Sequence, residues 1–296
     1  MSTPTSDWIG LRSNSLYAEI DPRGAQLSTL RDAAGNDLLW HGDAAIWSGR
    51  APLLFPIVGA LNGGQYQWRG QRYPLPRHGF ARGRRFEVIQ HDRHEALLRL
   101  TADADSRQIY PFNFELDVAY RCEGPALVIE AMARNTGKEP MPASLGFHPA
   151  LRWPLPYGQP RGDHFLEFEF EESAPIRRLN AQGLLTDARQ DTPVRGKQMR
   201  LRDALFTDDV VIFDELVSRR VIYGAAVGPR ILVSFPNATH LGIWSKPGAG
   251  FVCIEPWRGV ADPAGFEGSF NDKPGIFRVA PGASQPLQMR IEWLPA

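Results

Sequence analysis

Apolar and polar residues alternate at every second position through much of this sequence, which is the period of a β-strand. The segment FNFELDVAY places Phe112, Phe114, Leu116, Val118 and Tyr120 on one face. The segment ALVIEAMARN alternates again after the turn-like residues CEGP. The two segments are therefore predicted to pair as a β-hairpin.

Similar short patterns recur along almost the whole chain, separated by many of its 28 glycines and 25 prolines. HFLEFEFEES sets Phe168 and Phe170 against glutamates, as in a half-buried antiparallel strand. No long segment keeps a helical period, and MRLRDALF is the best short candidate for a helix. These patterns predict an all-β, mostly antiparallel sandwich with few short helices. Because no segment resembles a linker, we expect a single domain over residues 1–296.

The overall charge excludes a general affinity for polyanions. Lys and Arg together number 33, as do Asp and Glu, so no global field attracts nucleic acid or an anionic membrane. The sequence has no apolar run long enough to span a bilayer, and its start lacks the pattern of a secretory signal. We therefore expect a cytoplasmic protein with no nucleic-acid or membrane partner. Cys122 and Cys253 lie in predicted strands, outside any metal-binding spacing, and are expected to be buried thiols.

Two short motifs carry little functional weight. HDRHE, from His91 to Glu95, resembles a two-histidine metal motif, but that motif needs a helix and this segment lies between two strand patterns. A polar hairpin turn is the better interpretation. The tripeptide RGD at Arg161–Asp163 is short enough to arise by chance. The sequence also lacks GxGxxG, P-loop and GxSxG signatures, so it gives no indication of nucleotide binding or serine hydrolase chemistry.

Three segments place a polar residue among apolar or aromatic neighbours and beside Gly or Pro. They are RHGFAR with His78 and Arg82, LGFHPAL with His148, and VCIEPWRG with Glu255. A glutamate in such an apolar run destabilises the fold unless it is paired or functional. Each residue on its own fits a structural role, either a core histidine or a glutamate paired with arginine. Together, a carboxylate and an imidazole can move a proton between two oxygens near neutral pH without a metal.

Aromatic residues beside these motifs, namely Phe80, Phe147 and Trp257, offer an apolar face to the C–H side of a sugar ring. The ordered set RAPLLFPIVG, HGFAR, GFHPA, CIEPW and NDKPGIF resembles the aldose 1-epimerase (galactose mutarotase-like) family. The resemblance runs from DPRGAQLSTL near the start to the C-terminal strands. Each motif is weak by itself, and the ordered set is specific.

The resemblance implies a β-supersandwich and a cofactor-independent isomerase, active in carbohydrate metabolism, that interconverts the α and β anomers of a sugar. It implies that Glu255 takes the proton of the C1 hydroxyl and that His148 protonates the ring oxygen. Arg50 and His78 are then expected to hydrogen-bond the sugar. The family also uses an aspartate before an inner strand. Asp208 and Asp209 both qualify, and Asp209 is expected to bind the sugar.

The substrate stays open at this level. The arginine of HGFAR, Arg82, makes the motif similar to the hexose-6-phosphate mutarotase branch, and an arginine can bind phosphate through two hydrogen bonds. RAPLLFPIVGALN and NDKPGIF resemble a branch of unassigned substrate more closely, which favours an aldose of open identity over a hexose 6-phosphate. The partner is thus a small sugar or sugar phosphate, and we expect a monomer or weak homodimer.

Two other classes of protein compete with the mutarotase. A sugar-binding protein on the same fold would bind without turnover, because fold does not fix function. A metal-dependent β-sandwich enzyme would use His78, His148 and Glu255 as ligands. The sequence lacks the HxH spacing that places two ligands on one strand face, so no metal is expected.

Overall fold

The structure is a computed structural model that describes residues 7–296. The expectation about the start of the chain falls partly on residues 1–6, which lie outside the described residues. The first strands in chain order are β1 (Ile9–Arg12), β2 (Leu16–Asp21), β3 (Gln26–Asp32), β4 (Leu53–Leu54), β5 (Gln65–Trp68), β6 (Gln71–Pro74), β7 (Glu87–His91), β8 (Glu95–Thr101), β9 (Phe114–Glu123), β10 (Ala126–Asn135), β11 (Met141–Ala143) and β12 (Leu145–Phe147).

The remaining strands are β13 (Ala150–Arg152), β14 (Phe165–Phe168), β15 (Ile176–Leu179), β16 (Leu185–Gln190), β17 (Gln198–Arg200), β18 (Val211–Phe213), β19 (Arg220–Gly224), β20 (Arg230–Ser234), β21 (His240–Trp244), β22 (Phe251–Arg258), β23 (Phe277–Val279) and β24 (Ser284–Leu294). One α-helix, α1 (Ala104–Ile109), is present in the described residues. Short 3-10 helices cover Asn62–Gly64, Ala81–Gly83, Arg161–Asp163, Asp203–Phe206 and Phe270–Asp272.

Two large antiparallel sheets contain most of these strands. The first has nine strands in the order β17-β14-β19-β20-β24-β10-β9-β8-β7. The second has the order β16-β15-β18-β21-β22-β12-β4, and β13 also pairs with β22. Smaller sheets are formed by β1-β2-β3, β5-β6 and β11-β23. The predicted all-β, mostly antiparallel architecture is confirmed.

The main apolar core lies between the two large sheets. Val118 and Leu287 of the nine-stranded sheet belong to the same buried cluster as Leu241 and Ile254 of the eight-stranded sheet. Because side chains alternate along a strand, β22 sends Val252 and Ile254 into this core. The next residues along the strand, at positions 253, 255 and 257, face the opposite side of the sheet. The motif CIEPW therefore lies on a strand that is buried on both faces.

The predicted hairpin is also confirmed. Strands β9 and β10 pair in register from Phe114 opposite Asn135 to Glu123 opposite Ala126. In β9 the residues at alternate positions are buried, as the period of the sequence requires. HDRHE forms the turn between β7 and β8, where the Asp92 carboxylate accepts hydrogen bonds from the backbone of His94 and Glu95.

One local prediction is wrong and another holds only in part. In HFLEFEFEES the strand ends at Phe168, so Phe168 is buried whereas Phe170 is 49% exposed beside Lys197. In MRLRDALF the short helix is a single 3-10 turn over Asp203–Phe206, because Met199 and Arg200 pair with β14 as the end of β17. The α-helix instead begins after Asp103, whose carboxylate accepts a hydrogen bond from the backbone N–H of Ser106.

Both cysteines are buried free thiols, as expected. In residues 7–296 there is no helix with the length and apolar character needed to cross a membrane.

Candidate active site

The register of β22 brings His148 and Glu255 together. Gly146 of β12 lies opposite Trp257, and Ala150 of β13 lies opposite Cys253. The same register, continued through the gap between β12 and β13, places His148 opposite Glu255. Pro149 lies in this gap, where it cannot donate a ladder hydrogen bond, so the two short strands leave His148 at a break in the sheet.

His148 and Glu255 form a buried polar pair. His148 Nε2 lies 3.2 Å from Glu255 Oε2, and the side chains are 10% and 2% exposed. The indole of Trp47 stacks on the imidazole with ring centroids 5.2 Å apart, and Trp244 meets it edge-on at 5.7 Å. His148 Nδ1 and Glu255 Oε1 have no hydrogen-bond partner among the described residues. These two atoms are therefore available to a ligand, because a buried polar atom without a partner is costly.

Burial opposes charge on both members of the pair. It raises the pKa of Glu255 well above its ordinary value; Arg77 offsets this in part, and Asp209 adds to it. Burial, helped by the charges of Arg77 and Arg82, lowers the pKa of His148 to about 3. Near neutral pH the pair thus holds one exchangeable proton. An uncharged pair and an imidazolium–carboxylate pair differ only by transfer of that proton along the 3.2 Å contact.

His78 lies on the other side of His148, with ring centroids 5.8 Å apart. The backbone N–H of Gly59 donates to His78 Nδ1 at 3.1 Å, which places the imidazole proton on Nε2. Burial, together with the charges of His148 and Arg77, lowers the pKa of His78 well below its ordinary value. His78 is therefore a neutral donor.

A cavity of about 450 Å³ contains this group of residues. His78, Arg82, His148, Glu255 and Trp257 line it. Of the two candidate aspartates, Asp209 lines the cavity, whereas Asp208 is exposed and does not. The volume is in the range of pockets that bind small organic ligands, about 300–1,000 Å³.

Backbone conformation marks the same cavity. His78 and Asp209 have φ angles of 68° and 63°, in the left-handed region that non-glycine residues rarely adopt. Each such residue costs on the order of 1–3 kcal/mol, and such residues cluster at functional sites. The carboxylate of Asp209 accepts a hydrogen bond from the backbone of Val210 and lies 3.8 Å from the Arg77 guanidinium.

Comparison with known proteins identifies the family of the chain. A model of the family described as aldose 1-epimerase matches residues 8–267. The chain belongs to the aldose 1-epimerase family. The protein LacX of Lactococcus lactis subsp. lactis, in its plasmid form, is 31% identical over 283 residues, which cover 92% of this chain and 95% of LacX.

Solved structures with the same fold include two from Lactobacillus. A galactose mutarotase related enzyme from Lactobacillus acidophilus is 29% identical, with a TM-score of 0.90 and 97% of each chain covered. A galactose mutarotase-like protein from Lactobacillus casei is 27% identical, with a TM-score of 0.89 and coverage of 97% of this chain and 99% of that one. The β-sandwich expected from the resemblance is confirmed.

The structure does not bring Arg50 to the cavity of this family member. Its guanidinium donates to the carbonyl of Ser28 at 2.8 Å and stacks on the indole of Trp8 at 4.9 Å. Arg50 is not among the residues that line the cavity. The backbone carbonyl of Arg50 accepts a hydrogen bond from the backbone of Ala150, so Arg50 instead supports the start of β13, which follows His148.

Sequence reasoning missed several residues of this epimerase-family site. Trp47, Trp244, Phe206 and Lys246 all line the cavity. Trp244 follows from register, because it lies opposite Cys253 in β21. Trp47 and Lys246 lie in loops, so no periodic pattern identifies them.

Lys273 of the motif NDKPGIF lies behind one wall of the cavity. Its ammonium group is 2.9 Å from the carboxylate of Asp262 and donates to the carbonyl of Val260 at 2.6 Å. Between these two partners lies Ala261, which lines the cavity and packs against Gly59. The buried ion pair therefore fixes the loop that supports the Gly59–His78 hydrogen bond.

Proposed function

We propose that the protein is an aldose 1-epimerase that interconverts the α and β anomers of a sugar by ring opening and closure. The observation that carries this proposal is the contact between His148 Nε2 and Glu255 Oε2 in a cavity with further donors and aromatic walls. Membership of the family supports the reaction class. The pair supplies one acid and one base, which is what the reaction needs.

The reaction proceeds with two coupled proton transfers. Glu255, as carboxylate, removes the proton of the C1 hydroxyl, and the electrons of that O–H bond form the aldehyde. The bond between C1 and the ring oxygen breaks, and the ring oxygen receives a proton from His148. Rotation about the C1–C2 bond exposes the other face of the aldehyde. Closure then reverses both transfers and restores the pair.

The remaining cavity residues would hold the sugar. The Nε2–H of His78 is a neutral donor and the Asp209 carboxylate an acceptor, which suits hydroxyl groups. Trp257, Trp47 and Trp244 offer aromatic surface to the C–H groups of the ring. Exchange spectroscopy by NMR, on a panel of aldoses, measures anomer exchange with and without protein. An unchanged rate across the panel would contradict the proposal.

A hexose 6-phosphate is the second candidate substrate. Arg82 lines the cavity and donates to the carbonyl of Arg77 at 2.9 Å, and it has no carboxylate partner within the described part of the chain. Arg77 and Lys246 add positive charge to the same cavity. Comparing each aldose with its 6-phosphate tests this alternative. Arg82→Met should raise the KM of the phosphate ester selectively if the guanidinium binds phosphate, and Arg85→Met, which changes an exposed arginine paired with Asp7, is the matched control.

A non-catalytic sugar-binding protein is distinguished by calorimetry. Binding of a sugar without faster anomer exchange would support that function. The presence of both a buried carboxyl group and an imidazole in contact favours the enzyme.

A further inference from the structure

Cys253, His148 and Glu255 place three different metal-binding atoms together in the structure. One ligand atom from each residue lies within 4.8 Å of the other two, and this is the one such cluster among the described residues. We propose that these three residues form a site for a zinc-class divalent cation, which blocks the catalytic pair when bound. The block rests on the proposed function, whereas the binding does not.

Strand geometry accounts for the cluster. Cys253 and Glu255 are two residues apart on β22, so their side chains point to the same face. His148 lies across from Glu255, and Ala150 and Trp244 lie opposite Cys253 on the two neighbouring strands. Ala150 has no polar side-chain atom, and the only polar group of Trp244 is its indole N–H, which is a donor and cannot bind a metal ion. The cluster is therefore built by the same register that forms the catalytic pair.

The distances suit a tetrahedral ion. Two ligand atoms that each lie about 2.0–2.1 Å from zinc at a tetrahedral angle are about 3.3 Å apart. His148 Nε2 and Glu255 Oε2 are 3.2 Å apart. Sulfur binds at about 2.3 Å, which puts it about 3.5 Å from the other two ligand atoms, so the Cys253 thiol needs to approach them by about 1.3 Å at most. Glu255 Oε1, which has no partner among residues 7–296, adds a second carboxylate position for the ion.

The donor set selects the class of metal. A thiolate with an imidazole favours zinc, cobalt and related transition ions over magnesium and calcium, which prefer oxygen ligands alone. On binding, the Cys253 thiol and the Glu255 carboxyl release their protons to solvent, and the two negative charges neutralise the dication. A neutral complex also limits repulsion by Arg77 and Arg82. The fourth position faces the cavity and would hold water.

These three ligands differ from the set of His78, His148 and Glu255 that the sequence suggested for a metal-dependent enzyme. His78 is outside the cluster, and its Nδ1 accepts the hydrogen bond from Gly59. A cation on His148 and Glu255 would occupy the two atoms that are proposed to transfer protons. The bound ion is therefore inhibitory in this site, and its removal restores the acid–base pair.

Cobalt(II) titration of the whole protein, with zinc inhibition of anomer exchange measured in parallel, tests the proposal. The wild type should show a thiolate-to-cobalt charge-transfer band that excess zinc abolishes. Cys253→Ala should lose the band, and so should His148→Ala, which retains the thiol, because both weaken the site. Cys122→Ala is the matched control, since Cys122 is also a buried strand cysteine but lies outside the cluster.

For each variant, the rate of anomer exchange in the presence of zinc is divided by the rate of the same variant without metal. Loss of a group that only supports a metal ligand already weakens affinity about 10- to 100-fold, so loss of the thiol should weaken zinc inhibition by at least about 100-fold. Absence of the cobalt band in the wild type, or equal zinc sensitivity of Cys253→Ala and Cys122→Ala, overturns the proposal. If neither the wild type nor any variant accelerates anomer exchange, the proposed function fails. The cobalt spectra then still decide whether the metal site exists.

Discussion

His148 lies opposite Glu255 in the β-register, with its Nε2 atom 3.2 Å from Glu255 Oε2. The strands on both sides of His148 pair with β22, and the break between them leaves the imidazole facing the carboxyl group. A side chain placed by two flanking strands has little freedom to move, which suits the proton transfer that we propose for His148.

Substitution of either member of the pair should remove catalysis. Glu255→Gln removes the base and His148→Ala the acid, and each is expected to slow anomer exchange by about 10²–10⁴-fold. Exchange spectroscopy measures the rate, and calorimetry checks that the sugar still binds. A wild-type rate in both variants would exclude the proposed chemistry.

Glu255→Gln should also stabilise the protein at alkaline pH. Burial raises the pKa of Glu255 in the folded state. Above pH ~4.3 the unfolded chain therefore binds fewer protons at this residue than the folded protein does, and the free energy of unfolding falls as pH rises. At pH 8 His148 is neutral in both the folded and the unfolded state, so it does not change the pH dependence of the free energy of unfolding. Urea unfolding should therefore show a larger gain for Glu255→Gln at pH 8 than at pH 4. An equal gain at both pH values would show that the carboxyl group is not held protonated by burial.

Catalysis should show no transition near the ordinary histidine pKa of ~6.5. Burial lowers the pKa of His148 to about 3 and raises that of Glu255, so the pair keeps its single proton through this range. The pH profile of kcat/KM is expected to be flat from about pH 5 to 8. A half-maximal point near 6.5 in this profile would contradict the charge state assigned to the pair.

Asp209→Asn should weaken sugar binding. Hydrogen bonds to charged groups contribute about 1.5–3 kcal/mol, so KM is expected to rise about tenfold or more with a smaller change in kcat. Asparagine also tolerates the left-handed backbone of this position, where φ is 63°. Asp208→Asn is the control, because Asp208 is exposed and outside the cavity lining. Equal KM values in the two variants would show that Asp209 does not contribute to sugar binding.

Lys273→Met should destabilise the fold. It leaves the carboxylate of Asp262 buried without its counter-ion, which costs about 3–5 kcal/mol in the free energy of unfolding. The double variant Lys273→Met, Asp262→Asn removes both charges and is expected to recover part of the loss. Denaturant titration measures both values. A single variant as stable as the wild type would show that the ion pair does not hold the loop.

Much of the fold could be predicted because its signals are local. The alternation in β9 and β10, and the glycine turn between them, identify a hairpin without reference to the rest of the chain. The predictions failed where a neighbour in space decided the outcome. Phe170 has the right period for a strand, yet the strand ends at Phe168. In MRLRDALF the pairing of Met199 and Arg200 with β14 confines the predicted helix to one 3-10 turn over Asp203–Phe206.

In the candidate site, too, the sequence predicted some residues and the tertiary structure added or excluded others. The ordered motifs identified five of the residues that line one cavity: His78, Arg82, His148, Glu255 and Trp257. Asp209 also lines it, and the family resemblance gave it as one of two candidate aspartates. Arg50 belongs to the same motif set and lies elsewhere, since Ser28 and Trp8 hold its side chain. Trp47 and Lys246 line the cavity from loops that carry no pattern.

The sequence by itself determined the strand period, the family and the residue types available for acid–base chemistry. Only the tertiary structure decided which of them meet, because the register between β12, β13 and β22 joins segments that are distant along the chain. It also decided their protonation, since burial among Trp47, Trp244 and the inner strands shifts the pKa values of His148 and Glu255 in opposite directions. The contact and the charge state are both properties of the folded environment, and no single segment of the sequence determines either of them.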